Sequence, residues 1–228
     1  MLDSLYKLHE RVNQNKKNKK NQCGICPLVR DHSGPVFFEH EGESYPKVMI
    51  ISESPAGFDE IGYNFSRLNE LKEKVLTEIK TFDQWKKIAQ LNTLGKFLAG
   101  LTDNRMVLEP KSLATINNIY WKHAVKCFIQ RKGESVRNAK KRLRYKFGKA
   151  CKYCADYLWE EIEIVKPDLI VLIGDSAFNA IFPKKKDIIG KSIKFPELIY
   201  IYHPNARIKS ELKKKGFNYV KERIKSYL

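Results

Sequence analysis

Four apolar runs punctuate an otherwise lysine-rich chain: Val48–Ser52, Ile119–Phe128, Leu169–Gly174 and Leu198–His203. Each is short and β-leaning, the pattern of a buried strand rather than of a solvent-facing helix. Between and around them the apolar spacing turns helical. Residues 140–164 contain LWEEIEIV, and residues 175–182 open on Asp175-Ser176, a good helix-capping pair. The first fifteen residues suit a short helix, and residues 209–228 a basic one. In 66–113, LNELKEKVLTEIK and WKKIAQLNTLGKFLAGL are both amphipathic. Strands alternating with helices predict an α/β fold, a three-layer α/β/α sandwich around a central, mainly parallel four-stranded sheet. At 228 residues the chain is expected to form a single domain, residues 1–228.

Each run ends in polar or unusual residues. The first breaks into Ser52-Glu53-Ser54-Pro55, and the second passes His123 before Cys127. The third ends in Gly174-Asp175-Ser176 and the fourth in His203-Pro204-Asn205. Parallel strands bring such ends to one rim, where open α/β sheets bind their ligands. Glu53, His123 and His203 could therefore converge on one pocket. The plainer alternatives are an acid complementing a helix dipole and histidines satisfied within the core.

Charge sharpens the picture. Forty-three Lys and Arg against 26 Asp and Glu leave +17, a field that attracts polyanions, nucleic acid first among them. A uniformly lysine-coated surface would give the same total, but the charge is clustered. Ten basic residues and one acid, Glu134, lie between Arg131 and Lys152, including Lys140, Lys141, Arg142 and Arg144. That stretch is expected to contact phosphates, whereas KKNKK at 16–20 suits a solvated segment. No run approaches the roughly 18 apolar residues of a membrane span, and no apolar stretch follows the first methionine. A cytoplasmic protein without a membrane partner is expected, and a monomer is the base expectation.

The five cysteines change the expected chemistry. Cys23-Gly-Ile-Cys26 and Cys151-Lys-Tyr-Cys154 are C-x-x-C pairs, a spacing that lets two thiolates reach one metal centre, and Cys127 stands alone. Zinc and an iron–sulfur cluster both suit a thiolate-only site, and five small buried hydrophobes are the metal-free alternative.

From about residue 23 to 207 the ordered set of motifs resembles the uracil-DNA glycosylase superfamily, especially its iron–sulfur branches, families four and five. Cys23-Gly-Ile-Cys26-Pro27-Leu28 is similar to the C-x-x-C-P-L that opens those enzymes. Ser52-Glu53-Ser54-Pro55-Ala56 resembles their Gly-Glu-Ala-Pro-Gly or Gly-Glu-Ala-Pro-Ala motif, and Gly62-Tyr63-Asn64-Phe65 their Gly-x-Pro-Phe. Lys126-Cys127, Cys154-Ala-Asp-Tyr157-Leu158, the Gly174-Asp175-Ser176 strand end and His203-Pro204-Asn205 follow in the family's order.

The resemblance implies a monofunctional DNA N-glycosylase that flips uracil or a related deaminated base out of DNA and hydrolyses its N-glycosidic bond. It implies Glu53 near the sugar and His203 donating to the base carbonyl as the catalytic pair. Ser52, Ser54, Phe65, His123 and Asn205 would contact the base, Phe65 by stacking. Arg207, with Lys140, Lys141, Arg142 and Arg144, would contact DNA; Arg207 or Ile208 would fill the gap left by the base. A [4Fe-4S] cluster on Cys23, Cys26, Cys127 and Cys154 is implied, with zinc as the alternative and Cys151 as the competing fourth ligand. A basic insertion is expected at about 129–150, after an N-terminal helix and cysteine segment at 1–47.

Two departures stand out. Ser52 replaces the motif's glycine, and His123 occupies the position of the family's base-reading asparagine. An imidazole offers one donor and one acceptor in a geometry unlike an amide's. Hypoxanthine, xanthine or a modified pyrimidine is therefore an alternative substrate, and a non-catalytic nucleic-acid-binding role a further alternative.

Overall fold

The computed structural model describes residues 1–29, 34–35, 45–53, 119–128, 136–188, 196–203 and 206–227. In chain order these form α1 (Leu2–Lys17), α2 (Asn21–Ile25), β1 (Gly34–Pro35), β2 (Val48–Ser52), β3 (Ile119–His123) and β4 (Cys127–Phe128). Then come α3 (Val136–Val165), β5 (Leu169–Ile173), α4 (Asp175–Ile188), β6 (Glu197–Ile201) and α5 (Ser210–Tyr227). The amphipathic stretches within 66–113 lie outside the described residues.

The main sheet runs β3-β2-β5-β6, with every pairing parallel. All residues of β2, β3 and β5 are buried, which is why they read as unbroken apolar runs rather than alternating ones. One sheet face, carrying Met49, Ile51, Tyr120, Ile170 and Leu172, packs into a core with Leu143, Leu158 and Ile162 of α3 and Ala177 and Ile181 of α4. The register places Ile201 beside Ile173, on the opposite face. There Gly216 of α5 lies against Ile201 Cγ2, and Val220 and Ile224 of α5 are buried. Helices on both faces of a parallel sheet are the α/β architecture that the sequence predicts.

Two expectations change. The run 119–128 is not one strand: β3 ends at His123, and Cys127–Phe128 pairs antiparallel with Gly34–Pro35 in a separate two-stranded sheet. The helix expected from residue 140 begins earlier, and most of the basic stretch lies within it. From Val136 onward it is the first half of a 30-residue helix, α3. Its periodicity is overlaid by charge, and charge alone does not separate a solvated helix from a loop.

The N-terminal helix is strapped to α3. Arg11 pairs with Glu160, Asn15 Nδ2 donates to Tyr157 Oη at 3.2 Å, and Gln22 Nε2 donates to Asp156 Oδ2 at 2.7 Å. His9 Nε2 meets Glu161 Oε1 at 3.2 Å, and Lys126 pairs with the other oxygen of that carboxylate.

Candidate functional site

Strand order decides where ligand chemistry can gather. In chain order the sheet reads second, first, third, fourth, so successive crossovers run in opposite directions, and the switch point, where sheets of this kind form their ligand crevice, lies at the carboxyl ends of β2 and β5. Glu53 is the residue that follows β2 into this crevice. Its backbone is held there, because the ladder continues past the strands: Ala124 N–H donates to the Ser52 carbonyl at 2.7 Å and Val125 N–H to that of Glu53 at 2.9 Å.

On the far side of the crevice Gly174 ends β5. Its φ of +82° lies in the region that favours glycine, and an added Cβ would stand 3.3 Å from the Cβ of His203. A side chain at 174 would therefore both strain the turn and push on His203. The Gly174 N–H donates to the Ile201 carbonyl at 2.8 Å, which ties the end of β6, two residues before His203, to this turn. Glu53 and His203 thus stand on one rim two strand spacings apart, about 10 Å between their backbones. Cys151 and Ser176 fill the interval beside Glu53. Burial pushes the Cys151 thiol up to about 11, a hydrogen bond from Ser176 opposes it, and the nearby Glu53 adds to it.

His123 ends β3 on the other flank of Glu53, paired in register with Ser52. Ser52 Oγ lies 2.7 Å from His123 Nδ1, and the Trp121 indole N–H donates to the same Oγ at 3.0 Å. The Trp121 and His123 rings meet edge to face at 5.6 Å. Burial, reinforced by the charges of Lys126 and Lys122, lowers the imidazole to about 3, so His123 is neutral at physiological pH. Neither Trp121 nor the Ser52 hydroxyl suggested itself as a partner of His123 in the sequence; only strand register brings positions 52 and 123 together.

The cysteines divide. Cys127 is buried, and its thiol is pushed up first by burial and then by Cys154, Cys23 and Cys26. Cys154 is held at about 12 by burial and by the same neighbours, against a hydrogen bond from the Lys126 backbone. Cys23 Sγ also lies 3.9 Å from Tyr157 Oη. Cys127 thus feels Cys154, Cys23 and Cys26, and Cys154 feels Cys26 and Cys23, while Cys151 faces Ser176 and Glu53 before it feels Cys26. Even so, among the described residues no three His, Cys, Asp or Glu side chains are arranged to hold a single metal ion.

Of the residues expected at DNA, Arg207 and Lys141 are exposed and Arg142 is half-buried. Ser54, Phe65 and Asn205 lie outside the described residues, as do the side chains of Lys140 and Arg144.

No helix among the described residues is long and apolar enough to cross a membrane. No curated protein is significantly similar to the chain. The family profile described as the uracil DNA glycosylase superfamily matches residues 39–226, beginning after the Cys23/Cys26 segment and running almost to the end of α5. On that match, and on a parallel sheet with polar groups along its carboxyl rim, the chain belongs to the uracil DNA glycosylase superfamily.

Proposed function

We propose that the protein is a monofunctional DNA N-glycosylase that excises uracil or a related deaminated base and leaves an abasic site. The observation that carries this reading is the rim itself: an acid at the switch-point strand, with one imidazole on each side of it. In the reaction the C1′–N bond breaks, its electron pair leaves with the base, and water supplies the new C1′–O bond. Positive charge grows on the sugar and negative charge on the base. Glu53 is assigned to the sugar side, where a carboxylate stabilises the first charge and orients the water. His203 is assigned to the base side, where an N–H aimed at the carbonyl oxygen stabilises the second, as an oxyanion hole does. Phe65 is assigned to stacking on the extruded base, and Ser54 and Asn205 to its edge. The basic half of α3, with Lys140, Lys141, Arg142 and Arg144, and Arg207 beyond β6 would bind phosphates with strong salt dependence. The protein would act as a cytoplasmic monomer on DNA carrying the lesion.

The test is abasic-site formation in a uracil-containing oligonucleotide. Glu53→Ala and His203→Ala should each slow excision by about 10² to 10⁴, the usual range for acid–base and charge-stabilising groups. If neither change slows it tenfold, the roles are misassigned.

We further propose that Cys23, Cys26, Cys127 and Cys154 hold a [4Fe-4S] cluster. The nearness of Cys127 to Cys154, Cys23 and Cys26, and of Cys154 to Cys26 and Cys23, supports the set. A donor set of thiolates alone suits an iron–sulfur cluster, with zinc as the alternative. A cluster gives its thiolates separate irons to bind. When bound it would tie the N-terminal segment to β4 and α3 and take no part in the chemistry. Anaerobically prepared protein should be brown; Cys154→Ala should lose the colour and Cys151→Ala keep it. A colourless, zinc-containing preparation would overturn the assignment.

A further inference from the structure

We propose that Ser52 and Trp121 lock His123 as a one-way hydrogen-bond donor, so that His123 reads a keto rather than an amino group on its base. This rests on the glycosylase reading for the identity of the ligand, but the lock itself is independent of it. An indole N–H can only donate, so Ser52 Oγ accepts from Trp121 at 3.0 Å. Ser52 is completely buried, and a buried hydroxyl hydrogen needs an acceptor. The other polar atom bonded to Oγ is His123 Nδ1, at 2.7 Å. With Nδ1 accepting, the ring proton of the neutral imidazole sits on Nε2. Ser52 is thus a positioning residue, and the two departures from the family motifs are a single device. A glycine at 52 could not set this tautomer.

The consequence is chemical. An amide reads uracil at two points, donating to O4 and accepting from the ring N–H. His123 has its acceptor nitrogen engaged by Ser52, leaving one donor. That donor suits a keto oxygen, O4 of uracil or O6 of hypoxanthine and xanthine. The amino groups of cytosine and adenine would set donor against donor. This contact therefore separates uracil from cytosine, and hypoxanthine or xanthine from adenine, for bases of either ring size; thymine and guanine carry the same oxygen and are not distinguished by it.

The decisive measurement is nitrogen–proton correlation of the histidine rings in ¹⁵N-labelled full-length protein, with the His123 signals identified by their loss in His123→Asn. The expected result is a proton on Nε2 and a bare Nδ1, unchanged from about pH 5 to 8, with Ser52→Ala populating both tautomers. A proton on Nδ1, titration inside that window, or an unchanged tautomer in folded Ser52→Ala would overturn the lock. The wild-type spectrum decides the tautomer even if the variant folds poorly. In parallel, single-lesion duplexes test the class. Uracil, hypoxanthine and xanthine should be released within about tenfold of one another and cytosine at least 10³-fold more slowly, while His123→Asn should shift the ratio toward uracil by tenfold or more. Strong preference for uracil in the wild type would overturn the one-point reading. Release of no base with the tautomer as expected would overturn the glycosylase reading and uphold the lock.

Discussion

Strand β3 separates two buried polar clusters of opposite character. On the face of Trp121 and His123, the groups are neutral and joined by hydrogen bonds through Ser52. On the face of Tyr120 and Lys122, they are ionic: Lys126 and His9 both bond to the wholly buried Glu161, and Lys122 lies over the Tyr120 ring at 4.8 Å. Burial alone would raise the Glu161 carboxyl. Lys126, the His9 hydrogen bond and Lys122 outweigh it and hold the group at about 2. Burial lowers the Lys122 ammonium to about 7, with Lys126 adding and Glu161 opposing. The neutral cluster sits at the rim and keeps an imidazole uncharged. The ionic cluster joins α1, the segment after β3 and α3, and the cations it gathers also depress His123 through the strand. A cluster that must hold elements together can be charged, whereas one that must present a directional N–H is better neutral.

The ionic cluster should be the costlier to break. Glu161→Gln leaves the buried Lys126 ammonium without its carboxylate, an uncompensated charge worth about 3–5 kcal/mol of stability. The urea midpoint at pH 7 should fall accordingly, with an unchanged m-value. The pH dependence has a definite sign. Because the folded carboxyl lies below its ordinary 4.5, the stability it confers is complete above about 4.5 and is lost as pH falls toward about 2. The variant should lack that acid-range slope. A variant as stable as the wild type would make the two clusters equivalent and remove the contrast.

Much of this arrangement was readable in one dimension. Fully buried parallel strands leave continuous apolar runs, so β2, β5 and most of β6 were legible, and the polar residues at their ends marked the rim. Pairing between distant segments leaves no such trace. The break after His123 depends on Cys127 and Phe128 meeting Pro35 and Gly34, about ninety residues earlier. Lys122 stood in an apolar run as a visible anomaly, but its counter-charge lies on α3 and no spacing rule connects the two. Ser52 read as a crowded turn because its partner is set by register with β3, not by sequence neighbours. The basic segment was legible as charge, and as helix from residue 140 but not from its start at Val136.

The contrast sharpens at a third contact between α1 and α3. Arg11 and Glu160 join the same two helices as His9 and Glu161, one residue along α3, but their side chains are 50% and 39% exposed. Water already solvates both charges well, the Coulomb attraction is screened, and holding two long side chains together costs rotamer entropy. Arg11→Ala should therefore shift the urea midpoint by the equivalent of no more than about 1 kcal/mol, and less as salt is added. The adjacent carboxylates, Glu160 and Glu161, then differ severalfold in what they contribute, with burial as the only large difference between them. If Arg11→Ala proved as damaging as Glu161→Gln, the joint would be held by its surface. The buried ionic cluster would then lose its claim to be the fastener of the N-terminal helix.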